Sequence, residues 1–263
     1  MDLQVATDAG RDAIKALTLS DQEVQEVARQ SAQYSDKKNT LATSESKYAK
    51  RLNQLVEQNL QDGEVKFNYG VYISAEVNAF AMANGTIRLY SGLMDMLNDG
   101  ELRFVIGHEM GHIMKKHIRK KIQVAYAASA VRKGIASQRN AAGDIARSLF
   151  GGIAESLMNA QFSQQEEKDA DDYGLVFLKR GEFEQQDAVS ALKKIAKLGK
   201  THSFFSSHPA PDKRAERLQA QLEGRALSIE GKKQNIIDKI KAFLENNFPA
   251  FFRQLRKWLG LEE

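Results

Sequence analysis

The 263-residue chain contains no cysteine, which excludes disulfides and thiolate metal sites and leaves His, Asp and Glu to hold any metal. It also lacks a run of about 18 apolar residues of the kind a membrane-spanning helix requires. The opening Met1-Asp-Leu-Gln4 lacks the basic-then-apolar order of a secretory signal, so the sequence is expected to be either a cytosolic protein or a mature or trimmed form. Nor does one charge dominate: 38 Lys and Arg stand against 34 Asp and Glu, a formal net charge of +4. Eight basic and five acidic residues fall within 225–263, so the body offers no basic groove and no nucleic-acid partner is expected. Proline is scarce and marks breaks, Pro209 and Pro211 at a loop and a helix start, Pro249 within the tail.

With 42% hydrophobic and 27% charged residues, the chain has the composition of a globular protein and not of a disordered one. Ile14, Leu17, Val24, Val27, Leu52, Leu55, Val56 and Leu60 recur at three- and four-residue steps, which predicts a helical wrapping over residues 1–61. The period then changes. Val65–Tyr69, Val71–Ile73, Val77–Met82 and Thr86–Tyr90 are short and rich in β-branched and aromatic residues, and Asn84-Gly85 signals a tight hairpin. A small antiparallel sheet is expected there. Asn98-Asp-Gly-Glu101 reads as a capping box opening a helix that runs to about Lys120, with a basic end suited to the helix dipole. Further helices are expected at 163–180, 187–198 and 211–223. Residues 122–160, rich in Ala, Gly and Ser, read as close-packed or mobile helices. The tail from Ser228 carries two amphipathic stretches, Ile236–Leu244 and Phe251–Leu259.

The sharpest pattern is His108-Glu109-Met110-Gly111-His112 within a predicted helix. Residues four apart lie on one helical face, so both imidazoles can reach a single ion. Three protein bonds of about 2.0–2.2 Å would leave a fourth position for water. Glu109 projects beside the pair, where it can take a proton from that water as the ion makes it more acidic. Without a metal, these polar groups on a core-facing helix would each cost about 1–3 kcal/mol if left unpaired. A third ligand from the metzincin pattern would need Gly at 115 and His at 118, but Lys115 and Ile118 stand there. His117 is out of step with the pair and is expected on the solvated helix end. The better third ligand lies in Ser163-Gln-Gln-Glu-Glu-Lys-Asp-Ala-Asp171. Ser163 and Glu166 fit a capping box, which leaves Glu167 free to bind metal, while Asp171 on the same face can accept the second N–H of a ligating imidazole. The competing reading of this segment is a solvated acidic face.

Taken in order, Asn78-Ala-Phe-Ala81, Gly107-His-Glu-Met-Gly-His112, Phe162-Ser163 leading to Glu167-Lys-Asp-Ala-Asp171, and His208-Pro209 with Arg214 resemble metallopeptidase family forty-eight. These are the gluzincins of the heat-shock-protease and CAAX-prenyl-protease type, and the likeness is to their soluble bacterial envelope branch. The resemblance implies a zinc endopeptidase with one Zn2+ per chain, acting in protein quality control in the periplasm or at the periplasmic face of the outer membrane. It departs from the family at Gln164, where an Arg is usual, and in having neither a signal nor a lipid-bearing cysteine.

A peptide substrate fits two further segments. If Val77–Met82 is an edge strand beside the metal, it can hold an extended chain by main-chain hydrogen bonds, with Asn78, Ala79, Phe80 and Ala81 in contact. His208 can lie near the metal, occupying its open position at rest, and Arg214 can stabilise the developing oxyanion; equally, His208-Pro209 is a plain turn before a helix. The expected fold is α+β, mainly α, and zincin-like, with the metal cleft between the sheet's edge strand and the active-site helix. Residues 1–224 form the peptidase domain, with 1–61 as wrapping and 62–224 as catalytic core, and 225–263 form an amphipathic tail. The partners expected are unfolded or extended polypeptides, and a membrane or partner protein through 228–263. The alternative from another class is a peptide-holding chaperone that keeps the metalloprotease fold.

Overall fold

The computed structural model describes residues 19–123, 161–199, 204 and 207–225. The chain divides into two units, Met1–Gly224 and Arg225–Glu263, and every element below belongs to the first. The expectations for Ile14 and Leu17, for 124–160 and for the tail from Ser228 lie outside the described residues.

Helix α1 (Asp21–Lys38) begins at a capping box in which Ser20 accepts from the Glu23 N–H and Glu23 accepts from the Ser20 N–H. Its buried stripe is Val24, Val27, Ala28, Ser31, Ala32 and Ser35, the spacing of an amphipathic helix on a core. Helix α2 (Lys47–Val56) buries Leu52, Leu55 and Val56. Leu60 does not continue that stripe and is 56% exposed, because the helix stops and the chain turns into β1 (Gln61–Asp62), paired antiparallel with β2 (Val65–Lys66).

A second sheet contains β3 (Asn68–Tyr72), β4 (Ala79–Ala81) and β5 (Thr86–Tyr90) in the order β3-β5-β4. The β4–β5 hairpin closes as expected at Asn84-Gly85. The Gly85 N–H donates to the Met82 carbonyl at 3.0 Å, and Gly85 has φ +87° with its missing Cβ position 2.1 Å from the Lys66 carbonyl oxygen. Only glycine satisfies both conditions. The expectation of an antiparallel sheet holds for β1–β2 and β4–β5 but not for β3, which runs parallel to β5 with Asn68 opposite Thr86 and Tyr72 opposite Tyr90. The reason is the connection 73–78, which carries the chain past β5 before β4 forms. Central β5 is buried at all five residues, Arg88 included, because Asp36 of α1 accepts from its guanidinium at 2.9 and 3.0 Å.

The outer side of β3 is covered by residues 40–42, with Ala42 N–H on the Val71 carbonyl and Ile73 N–H on the Thr40 carbonyl, each at 2.8 Å. No described strand pairs with the outer edge of β4. Tyr90 N–H donates to the Asn78 carbonyl and Met82 N–H to the Thr86 carbonyl, so Asn78, Phe80 and Met82 point their main-chain groups at β5. By the alternation of an antiparallel ladder, Ala79 and Ala81 point theirs outward.

Helix α3 (Ser91–Met96) leads into α4 (Asp99–Met114), followed by α5 (Gln164–Arg180), α6 (Gln186–Ala196) and α7 (Pro211–Leu222). The predicted capping box opens α4: Asn98 Oδ1 accepts from Glu101 N–H and Glu101 from Asn98 N–H, both at 2.8 Å. Glu101 is 1% exposed; from α6, Lys194 neutralises it at 2.7 Å and the Ser190 hydroxyl donates to it at 2.5 Å. From Glu101 to Ile113 every residue except Arg103 is buried, so α4 is the centre of the fold. It does not run on to Lys120. Lys116 adopts a left-handed conformation (φ +58°), and the chain re-enters a helix only at 117–123. The architecture is the mainly helical α+β zincin arrangement; no described helix is long and apolar enough to cross a membrane.

Candidate metal centre

Helices α4 and α5 approach closely because small residues meet between them. A Cβ on Gly107 would lie 2.9 Å from the Phe177 side chain, one on Gly111 2.9 Å from Tyr173 Cβ and 3.0 Å from Ala170 Cα, and one on Gly174 2.9 Å from the Phe104 ring. Those contacts bring the inner face of α5, carrying Glu167, Ala170, Asp171 and Gly174, onto the turns that carry His108 and His112. The capping box expected at the start of α5 is present. Ser163 Oγ accepts from Glu166 N–H at 3.2 Å and Glu166 from Ser163 N–H at 2.9 Å, so Glu166 is occupied at the helix end while Glu167 turns inward and is 1% exposed.

Four side chains converge. His108 Nε2 and His112 Nε2 are 3.0 Å apart; Glu167 Oε1 lies 3.3 Å from His112 Nε2, and Glu167 Oε2 3.8 Å from His108 Nε2. The fourth is His208, whose Nδ1 lies 3.0 Å from Glu167 Oε1 and 3.3 Å from His108 Nε2. All four are buried, and one ligand atom from each lies within 4.8 Å of the others. Tetrahedral zinc with bonds of about 2.0–2.1 Å sets its ligand atoms about 3.3 Å apart, so this donor set fits zinc. His208 comes to its place because its own N–H donates to the Phe204 carbonyl at 2.9 Å and Phe162 N–H donates to the Ser207 carbonyl at 3.0 Å.

Beside the cluster, Glu109 is 1% exposed, and neither of its carboxylate oxygens has a hydrogen-bond partner; Oε1 lies 3.5 Å from His208 Nε2. A buried carboxylate with nothing to bind is costly unless a water or a metal-linked group belongs there. This is a second mark of fit to a hydrolytic metal centre.

Behind the cluster, Asp171 Oδ1 lies 3.0 Å from His108 Nδ1, as the shared face with Glu167 predicts. Asp171 also takes a two-pronged contact from Arg214, Nε to Oδ2 at 3.0 Å and Nη2 to Oδ1 at 2.5 Å, and Arg214 Nη1 pairs with Glu167 Oε2. Burial, the largest single influence, raises both carboxyl pKa values, but the Arg214 charge acting together with His208 and His112 at Glu167, and with His108 at Asp171, overcomes it and holds Glu167 well below and Asp171 below the usual carboxylate range. Burial likewise opposes the charged guanidinium, and the two carboxylates overcome it and raise its pKa. Burial drives the His112 pKa well below the ordinary histidine value, which keeps its ring neutral, the form that can bind a metal. Nε, Nη1 and Nη2 of Arg214, for which an oxyanion role is expected from the sequence, all face α5 carboxylates.

The cleft between β4 and the cluster is lined by Phe80, Ala81 and Met82 on the strand side and by Ile118, Lys121, Phe162, Ser207 and His208 on the other. Phe80 and Ala81 therefore reach the cleft. Ala79 is 1% exposed, and Asn78 turns back on its own backbone, Oδ1 accepting from Ala79 N–H at 2.9 Å and Nδ2 donating to Glu76 at 3.3 Å.

Several neighbours were not assigned from the sequence. Phe162 stacks on His112 with ring centroids 3.6 Å apart, and Phe204 stacks on His208 at 4.8 Å. Lys121 Nζ sits 3.1 Å from the Phe162 ring centroid, with burial pulling its pKa down to about 8. His117, expected on a solvated helix end, is only 3% exposed and places its Nδ1 3.1 Å from His112 Nδ1. The break at Lys116 redirects it, and no periodic signal announced that break.

Comparison with known proteins identifies the family. The model of peptidase family M48 matches residues 20–222. Over 227 residues, covering 84% of this chain and 89% of the relative, the chain is 41% identical to metalloprotease LoiP of Escherichia coli strain K12. It is 38% identical, over the same coverage, to metalloprotease YcaL of that organism. The beta-barrel assembly-enhancing protease of Yersinia pestis is 24% identical over 180 residues, 64% of this chain and 37% of that protein.

Proposed function

Because the chain belongs to peptidase family M48 and is a zinc metalloendopeptidase, we propose that His108, His112 and Glu167 hold the zinc ion and that Glu109 is the general base. Bound zinc supplies positive charge that acidifies water and polarises a carbonyl. Glu109, buried with both oxygens free of hydrogen bonds, takes the proton of the attacking water and passes it to the leaving amine. That unpartnered carboxylate beside four converging donors carries the reading. His208, with Nδ1 already directed into the cluster, would be a fourth residue able to hold the ion when no substrate is bound, and would have to leave it for catalysis. Arg214 and Asp171 are positioning residues: Asp171 orients His108, and Arg214 neutralises and holds both carboxylates.

The substrate is an extended or misfolded polypeptide. It adds to the open edge of β4 through the outward main-chain groups of Ala81 and the carbonyl of Ala79, while Phe80 and Ala81 shape the cleft and Asn78, whose Oδ1 accepts from the Ala79 N–H, keeps the strand entry in place. Recognition by backbone shape suits a protease that removes damaged proteins in the bacterial cell envelope, in the periplasm or at the periplasmic face of the outer membrane. The likeness to a protease named for β-barrel assembly supports that setting. In this reading residues 1–224 are the peptidase domain and 225–263 an appended tail that contacts a membrane or a partner.

Casein degradation by the purified, zinc-loaded protein tests the assignment. Wild type is expected to degrade casein, Glu109→Gln to keep its zinc and lose at least about a hundredfold in rate, and Glu167→Ala to lose zinc. A Glu109→Gln protein that degrades casein at the wild-type rate would overturn the role of Glu109, and wild type that binds casein without cutting it would favour a peptide-holding module.

A further inference from the structure

We propose that His117 is the positioning residue for His112, accepting a hydrogen bond from its Nδ1–H and thereby fixing the tautomer that leaves Nε2 free for zinc. The inference rests on His112 being a zinc ligand and adds a partner for it. In an unbroken helix, a residue five positions on lies about 140° around the cylinder and cannot meet its predecessor. The left-handed Lys116 breaks α4 and swings the chain back, so that the two rings stand 5.2 Å apart, tilted by 70°, with their Nδ1 atoms at 3.1 Å.

Two imidazole nitrogens at that distance need one proton between them, since two lone pairs would repel. Were the proton on His117, His112 would carry its own hydrogen on Nε2 and have no lone pair to offer the metal. Zinc binding therefore puts the shared proton on His112 and makes His117 Nδ1 the acceptor. His117 then carries its hydrogen on Nε2, which faces Asp169 Oδ2 at 3.9 Å. His108 and His112 are thus braced differently, His108 by the anionic Asp171 at 3.0 Å and His112 by a neutral ring.

The test compares His117→Phe, which keeps an aromatic ring but removes the acceptor, with His117→Asn, which keeps an acceptor in the side chain. Zinc dissociation constants from chelator competition are the readout, with thermal melting of the metal-free proteins as the folding control. His117→Phe is expected to bind zinc about 10- to 100-fold more weakly, and His117→Asn to recover part of that loss. Equal zinc affinity in His117→Phe and wild type overturns the inference, as does equal weakening in both variants, which would mean that the ring acts through packing. Should the variants not fold, nitrogen-15 NMR of zinc-loaded wild type reads the His112 tautomer directly, and a proton on His117 Nδ1 refutes the assignment. Wild type that holds no zinc would refute the ligand assignment itself, a distinct outcome.

Discussion

Replacing Arg214 with Met removes the cation that α7 lends to α5 while keeping much of the side-chain volume. Arg214 is 8% exposed in its side chain, and its partners Glu167 and Asp171 are 1% and 0% exposed, so the variant strands two buried carboxylates. Breaking a buried ion pair from one side costs about 3–5 kcal/mol. Against a total stability of about 5–15 kcal/mol for a domain, that loss is a fifth or more. The pH dependence also changes. In the wild type both carboxyl pKa values are lowered, so the two groups contribute stability above the unfolded-state value of about 4 and lose it as pH falls through the folded values. In Arg214→Met burial loses the strongest charge opposing it, leaving the histidine contacts and, at Asp171, Arg217 at 3.5 Å; both pKa values rise, and acidification from pH 7 stabilises the metal-free variant relative to wild type. Urea unfolding of metal-free protein at pH 7 and pH 5 measures this, and adding Asp171→Asn, which removes one stranded charge, should reduce the cost of Arg214→Met. If Arg214→Met unfolds like wild type at both pH values and only its turnover falls, then the guanidinium acts on the reaction and the positioning argument is wrong.

Two further substitutions probe the frame around the site. Gly111→Ala puts a methyl group 2.9–3.1 Å from Tyr173 and the Ala170 backbone, so α4 and α5 must separate; a loss of about 1–3 kcal/mol and weaker zinc binding are expected from melting and chelator competition. Lys121, with its pKa near 8 in the folded chain, costs stability while protonated, and that cost disappears as pH rises from about 8 toward its unfolded value. Urea midpoints at pH 7 and pH 9.5 should therefore show wild type gaining on Lys121→Met at the higher pH, and equal shifts would contradict the burial of the ammonium.

What the sequence determined by itself is the set of relations spanning three or four residues. His108 and His112 one turn apart, Glu109 beside them, the capping boxes at Asn98 and Ser163, Glu167 left free with Asp171 on its face, and the Asn84-Gly85 hairpin are all local geometry, set by helical and turn conformation before any packing. The tertiary structure decided the rest. That β3 runs parallel to β5, that Arg214 crosses 43 residues to grip Asp171 and that His208 reaches His108 from 100 residues away depend on how elements dock, for which the chain carries no periodic mark. His117 shows the division most sharply: the residue is in plain view five positions past His112, yet its meeting with that ring hangs on one lysine taking a left-handed conformation that packing, not local preference, imposes.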